Sequence, residues 1–167
     1  PARQEVRGYF RSQEGEWDSN GAAIWTIDRY RRLSGEALPA ELVEAVSKGA
    51  RWIRRKRLSE ALEAPHAGLL PAGFSAEHLG PNDYYYWDDF LSIAGLRAAA
   101  ELLEEFGEDT QAADFAQEAD DLYGAVEASL RVAAERLGED IVPASPYRRM
   151  DAGAIGVIAA DYPLQLW

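Results

Sequence analysis

The 167-residue chain contains no cysteine. This absence excludes disulfides, thiolate metal sites and cysteine nucleophiles, and it is compatible with a reducing compartment. The chain also has no apolar run near the roughly 20 residues that a membrane-spanning helix needs, and its first residues, PARQEVRGYF, lack a signal-peptide core. These absences favour a cytoplasmic location. Because Pro1 stands where an initiating methionine is expected, we also expect the natural chain to begin upstream.

Basic residues are scarce relative to acidic ones: 17 lysines and arginines stand against 29 aspartates and glutamates, a net charge of −12. Electrostatic repulsion therefore argues against nucleic acids and anionic membranes as partners, and a neutral, sugar-like partner fits better. The basic run RWIRRKRL at residues 51–58 is typical of a solvated helix face. Because His66 and His78 belong to no metal-binding motif, we expect neither a metal nor any other cofactor.

The spacing of apolar residues predicts an all-helical chain that forms one domain over residues 1–167. Helices are expected at about 21–35, 39–58, 88–106 and 109–137, with a short fifth helix that opens near Asp151 and ends before Pro163. The second helix has a buried stripe made of Leu42, Val43, Val46, Ala50 and Ile53. The segment 59–83 lacks periodicity, and a connection of that length is more often functional than idle.

Two kinds of helix alternate along the chain. Three helices begin with small and apolar residues, GAAIW at Gly21, SIAGL at Ser92 and AGAIG at Ala152, so they recur at roughly 60 to 70 residues. We call these the inner helices, because small residues let helices crowd around a common axis, whereas the charged helices between them need water on one side. The pattern predicts antiparallel helical hairpins in a closed ring, of which this chain supplies about two and a half.

Each inner helix follows a loop that combines acidic and aromatic residues: GEWDSN, NDYYYWDD and ASPYRRMD. In a ring of hairpins these loops meet at one rim, where the unpaired N–H groups of helix N-termini favour hydroxyl-rich or anionic ligands. Aromatic rings beside carboxylates suit a sugar, which presents apolar C–H patches to rings and hydroxyls to acids. The alternative is structural, with Asp18, Asp88 or Asp89, and Asp151 each capping a helix.

Three segments in this order, EWDSNGAAIW, YYWDDFLSIAGLRAAAELLEEFG and RRMDAGAIG, resemble the catalytic barrel of glucoamylase-type enzymes, glycoside hydrolase family 15 of the six-hairpin glycosidase group. The resemblance runs from about Trp17 to Leu166. It implies part of an (α/α)6 barrel and an inverting hydrolase of α-linked glucosides or related small glycosides. The family usually has glutamate where this chain has Asp88.

The resemblance also implies roles for individual residues. The acid directly after the tryptophan is the proton donor of the family, so Asp88 becomes the general acid, with Asp89 binding substrate or tuning its neighbour. The residues expected to bind the carbohydrate substrate are Trp17, Asp18, Tyr86, Trp87, Arg149 and Asp151. Arg148 competes with Arg149 for the basic role in its loop.

The chemistry of a general acid makes its own demand on Asp88, which must keep its proton near neutral pH. A helix N-terminus favours the carboxylate and lowers its pKa. Burial by the aromatic residues 84–87 and repulsion from Asp89 would oppose the dipole, so we expect a raised pKa at Asp88.

An inverting mechanism also needs a second carboxylate as base. In the family that base follows the fifth hairpin, beyond Trp167, so we expect the chain to be a fragment that is inactive alone. Half a ring would leave five apolar side chains facing water and promote self-association: Ile24, Ile93, Leu96, Ile155 and Val157. The rival hypothesis is a non-catalytic helical carbohydrate-binding or scaffold module.

Overall fold

A computed structural model describes residues 3–13, 15–75 and 80–167 of the chain. Over these ranges the chain forms four α-helices, α1 (Asp18–Ser34), α2 (Ala40–Lys56), α3 (Tyr86–Glu105) and α4 (Asp109–Leu137), followed by a 3-10 helix at Ala152–Ala160. The all-helical prediction is confirmed, because the described residues form isolated β-bridges but no β-strand. None of the described helices is both long and apolar enough to span a membrane. His78, for which no metal role is expected, lies outside the described residues.

The ends of α1 and α4 follow from glycines placed after the last turn. Gly35 and Gly138 adopt left-handed backbone with φ of 70° and 73°, and their N–H groups bond to carbonyls of the last turn of their helices. At the other end, α1 begins three residues before the predicted Gly21, at Asp18. Capping therefore does not explain the acids of α1 and α3: Trp17 and Tyr85 occupy the N-cap positions, and neither makes a side-chain cap bond.

The helix α3 is the centre of the fold, because it packs against α1, α2, α4 and the 3-10 helix. Most of its side chains are buried, including Phe90, Ile93 and Leu96 at 0% exposure. The buried stripe predicted on α2 is confirmed for Val43, Val46, Ala50 and Ile53, while Leu42 is partly buried against the same core.

The prediction that five apolar residues face water is wrong for most of them. Ile24, Ile93 and Leu96 are fully buried, and Val157 packs partly against the core. The reason is that α1 and α4 enclose α3 from two sides, so the inner helices are not short of neighbours. Only Ile155 of this set, at 72% exposure, faces solvent as expected.

The helices α1 and α3 meet backbone to backbone. A Cβ atom added to Gly21 would lie 2.1 Å from the carbonyl oxygen of Leu91, and one added to Gly95 would lie 2.6 Å from the Cα of Gly21. Only glycine fits such an approach. Small residues therefore do bring these two helices together, as the sequence predicts, and this contact fixes where the start of α1 lies relative to the start of α3.

Two buried polar residues of α1 hold the helix against the segments around it. Asn20 is fully buried; it accepts a hydrogen bond from Phe10 N and donates to the carbonyls of Gly8 and Gly49, which joins the N-terminal segment to α1 and α2. Further along, Asp28 is also fully buried and forms ion pairs with three arginines, at 2.8–3.1 Å. Those arginines are Arg29, Arg31 and Arg32. Arg31 also pairs with Glu105 at 2.7 Å, which ties the end of α1 to the end of α3.

Candidate functional site

The starts of the inner helices lie at one end of the bundle. Trp87 in the first turn of α3 donates its Nε1–H to the carboxylate of Asp18 at the start of α1, at 2.8 Å. The backbone N–H of Tyr86 donates to the carbonyl of Ala144, at 3.1 Å, which places the segment before the 3-10 helix beside the start of α3. The loops that the sequence expects to gather are therefore neighbours.

Asp88 lies where these elements meet and is only 2% exposed. Burial raises the pKa of its carboxyl group well above the ordinary value, and the negative charges of Asp18 and Asp89 raise it further. The backbone N–H of Asp18 donates to the same carboxyl group and lowers the pKa, but its effect is smaller. The expected direction is confirmed, although Asp18 contributes more than Asp89, the only charge that the sequence indicated.

The environment of Asp89 differs from that of Asp88. It is 1% exposed, and its Oδ1 accepts a hydrogen bond from Leu70 N at 2.9 Å, which fastens the long connection to α3. Burial raises the pKa of Asp89 to about 7, against the lowering effects of the Leu70 N–H and of the Arg57 charge. Its position within the fold is that of an anchor for the segment that follows α2.

Three polar atoms within one turn of α3 are buried and have no hydrogen-bond partner among the described residues: Asp88 Oδ2, Asp89 Oδ2 and Ser92 Oγ. Burying such groups unpaired costs about 1–3 kcal/mol each. Natural proteins keep few such groups, and a catalytic role is one of the reasons for those that they keep. These unpaired atoms make the start of α3 a candidate functional site.

The raised pKa of Asp89 predicts a pH-dependent stability. The folded state holds the proton more tightly than the unfolded chain, so the stability due to this group is present below its ordinary pKa and is lost as the pH rises from about 4 to about 7. Asp89→Asn keeps an oxygen for the Leu70 N–H and does not titrate. We expect the free energy of unfolding of the variant, relative to the unmodified chain, to increase between pH 4.5 and 7.5 in urea titrations. An unchanged difference across this range would show that Asp89 is ionised throughout.

Two other residues that the sequence predicts to bind the substrate, Tyr86 and Trp17, have their rings in contact with other parts of the protein. Tyr86 is fully buried, and its hydroxyl shares a 2.8 Å hydrogen bond with Ser129 of α4, so it is part of the core. Trp17 is partly exposed, but Lys56 Nζ lies 3.6 Å from its ring centroid. Tyr86 and Asp88 are both buried, so neither is open to a ligand in this conformation.

The basic residue that pairs with Asp151 is Arg148. Its guanidinium group binds both oxygens of Asp151 at 2.8–3.1 Å and also hydrogen-bonds to Tyr85. Arg149, which the sequence predicts to bind the substrate, is exposed. Asp151 is in addition the N-cap of the 3-10 helix and accepts from Gly153 N at 2.8 Å, so the capping alternative holds for this aspartate.

Grooves occur elsewhere on the molecule. One of about 450 Å³ lies between α3 and α4, is lined by residues such as Arg97, Glu104 and Asp120, and does not include the first turn of α3. Among the described residues no group of three or more histidine, cysteine, aspartate or glutamate side chains is placed to hold a metal ion. The groups that the starts of α1 and α3 offer for chemistry are carboxyl groups and hydrogen-bond donors.

No family model matches this chain, and neither the curated proteins nor the solved structures contain a match. The resemblance to glucoamylase-type enzymes therefore rests on the residues quoted above, and the ring of hairpins, like the enzymatic activity, stays a prediction.

Proposed function

We propose that the chain carries the general-acid segment of an inverting glycoside hydrolase that acts on α-linked glucosides, with Asp88 as the proton donor. The observation that carries the proposal is the environment of Asp88, a carboxyl group that is 2% exposed and surrounded by the charges of Asp18 and Asp89. A general acid must be protonated before it can act, and few surface carboxyl groups are protonated near neutral pH.

In the proposed reaction Asp88 gives its proton to the glycosidic oxygen while the bond from that oxygen to the anomeric carbon breaks. A water molecule, deprotonated by a second carboxylate, attacks the opposite face, and Asp88 is left ionised. The donor must come within about 2.6–3.2 Å of the oxygen. Since Asp88 is buried, substrate has to open the helix starts locally, and the hydrogen bond from Trp87 to Asp18 is one of the contacts between α1 and α3 at that point.

Two of the other acids at this end, Asp18 and Asp151, are poorly suited to be the base. The carboxylate of Asp18 accepts from Trp87, and Asp151 is held by Arg148, whose hydrogen bonds lower its pKa. A base must also lie about 6.5–9.5 Å from the acid in an inverting enzyme. We therefore include in the proposal that the base is supplied from outside these 167 residues.

A second candidate is a non-catalytic helical module that binds carbohydrate or acts as a scaffold. The burial of both Asp88 and Asp89 favours it, because neutral carboxyl groups can serve as core residues without chemistry. The two candidates differ in what they predict for turnover.

The experiment is hydrolysis of maltotetraose by the protein at its native length and by residues 1–167 alone, followed by proton NMR. We expect the native-length protein to release glucose, with the β-anomer appearing first, and the shorter chain to release none. Binding without hydrolysis in the native-length protein would favour the non-catalytic module. Hydrolysis by residues 1–167 alone would show that the base lies inside them and would make Asp18 and Asp151 the first candidates.

A further inference from the structure

A cluster of three rings lies outside the pair of buried acids. The rings of His66 and Tyr84 are stacked, with centroids 4.0 Å apart and planes 7° apart. Tyr147 completes the cluster: its hydroxyl shares a 2.6 Å hydrogen bond with His66 Nδ1, and its ring lies 5.7 Å from that of His66 and 5.9 Å from that of Tyr84. These residues, which we call the ring cluster, come from the long connection, the residues just before α3 and the loop before the 3-10 helix.

The ring cluster is held in place by partly buried hydrogen bonds. Asp83 accepts from the backbone N–H of Tyr84 at 2.8 Å and from the hydroxyl of Ser145 at 2.6 Å. Ser145 is fully buried, two residues before Tyr147. The segments that carry Tyr84 and Tyr147 are therefore fixed to each other, and a ligand that contacts the rings would not have to order them, which lowers the entropic cost of binding.

The cluster is nevertheless open to solvent. Tyr147 is 46% exposed, and His66 and Tyr84 are partly exposed. Next to Tyr147 in the chain, Arg148 forms its ion pair with Asp151, and these side chains keep 16% and 29% of their surface exposed. An open aromatic face beside a donor and an acceptor held in fixed positions matches a pyranose ring, which has apolar C–H patches and hydroxyl groups at its edge. The charge of −12 disfavours the other common ligands of exposed rings, nucleic-acid bases on a phosphate backbone.

We propose that the ring cluster is a sugar-binding platform, on which one pyranose ring of an α-linked gluco-oligosaccharide stacks against Tyr147 while its hydroxyl groups bond to Arg148 and Asp151. His66 and Tyr84 are positioning residues that hold the Tyr147 ring. The assignment to α-linked glucose rests on the proposed function, whereas the platform itself rests on the ring geometry. The platform lies at the same end of the bundle as Asp88, because Tyr84 comes two residues before α3 and the N–H of Tyr86 donates to the carbonyl of Ala144.

The test is the affinity of the chain for maltotetraose, measured by NMR titration at a pH near 7. Tyr147→Ala is expected to weaken binding about tenfold, because a lost aromatic contact is worth up to about 1.5 kcal/mol. Tyr147→Phe retains the ring and should bind within about twofold of the unmodified chain. The matched control is Tyr30→Ala, which removes a tyrosine of similar exposure, 54%, near the far end of α1 and should leave affinity unchanged.

A second measurement needs no variant: intermolecular nuclear Overhauser effects are expected between the Tyr147 ring protons and the pyranose C–H protons. Affinity unaltered by Tyr147→Ala would overturn the platform, as would the absence of maltotetraose binding by the unmodified chain. If the cluster only clamps the loops together, both Tyr147 variants would lower the free energy of unfolding and neither would change affinity. Each of these results leaves the role of Asp88 to be judged separately, since that role is tested by hydrolysis.

Discussion

Replacing Asp88 with asparagine is expected to lower the turnover of maltotetraose by about 10²- to 10⁴-fold in the protein at its native length, with little change in substrate affinity. Asparagine has the shape of the protonated carboxyl group but carries no proton that it can transfer. Because burial and the neighbouring charges raise the pKa of Asp88 well above its ordinary value, the fold disfavours the ionised carboxylate, and replacing it with a neutral amide should not lower the free energy of unfolding. Steady-state kinetics and urea titrations measure the two quantities.

The matched control for Asp88 is Asp109→Asn. Asp109 also lies in the first turn of a helix, α4, but it is exposed. Its substitution should leave turnover and stability essentially unchanged. If Asp88→Asn retains the turnover of the unmodified protein, Asp88 is a core residue of the helix start and the hydrolase proposal loses its proton donor.

Placing a methyl group on Gly21 is expected to destabilise the fold strongly. The added Cβ of Gly21→Ala would lie 2.1 Å from the carbonyl oxygen of Leu91, and backbone atoms cannot rotate out of the way as a side chain can. The helices α1 and α3 would have to separate, which opens the core that they share. Overpacking costs typically 1–3 kcal/mol, and we expect a loss of about 3 kcal/mol, measured by urea unfolding.

Gly124→Ala is the control for this effect. Gly124 lies within α4 and has nothing within 4 Å of an added Cβ, so alanine should stabilise the chain by about 1 kcal/mol through its higher helix propensity. Equal effects of the two substitutions would mean that α1 and α3 do not touch at Gly21. Because this contact sets the start of α1 against the start of α3, a Gly21→Ala variant that still folds should also show an altered pKa at Asp88.

The helices were predictable because their signals are local. Residues 109–137 were placed correctly, because the apolar period of 3.6 lies within the helix and the glycine that ends it follows directly in the chain. The prediction of small residues at a helix contact also held, since Gly21 meets Gly95. The exposure of Ile24 and Leu96 was predicted wrongly, because burial depends on how closely the neighbouring helices wrap α3.

The candidate site was predictable only in part, for the same reason. A raised pKa at Asp88 was expected from burial, which is its largest cause, but the larger charge effect comes from Asp18, seventy residues away, and only the packing of α1 on α3 brings it near. The preference of Asp151 for Arg148 over Arg149 depends on which side chain the loop directs inwards. The contact between His66 and Tyr147 joins residues 81 apart and has no local signal at all.

The central claim is that Asp88 donates a proton to the leaving group, and the most direct measurement compares two α-glucosides in the native-length protein. One carries a dinitrophenyl leaving group, which departs without protonation, and the other is maltotetraose, which requires it. If Asp88 is the donor, Asp88→Asn should hydrolyse the dinitrophenyl glucoside at a rate close to that of the unmodified protein while its rate on maltotetraose falls by about 10²-fold or more. Equal losses on the two substrates would contradict the account, because they would show that Asp88 supports the site without transferring a proton.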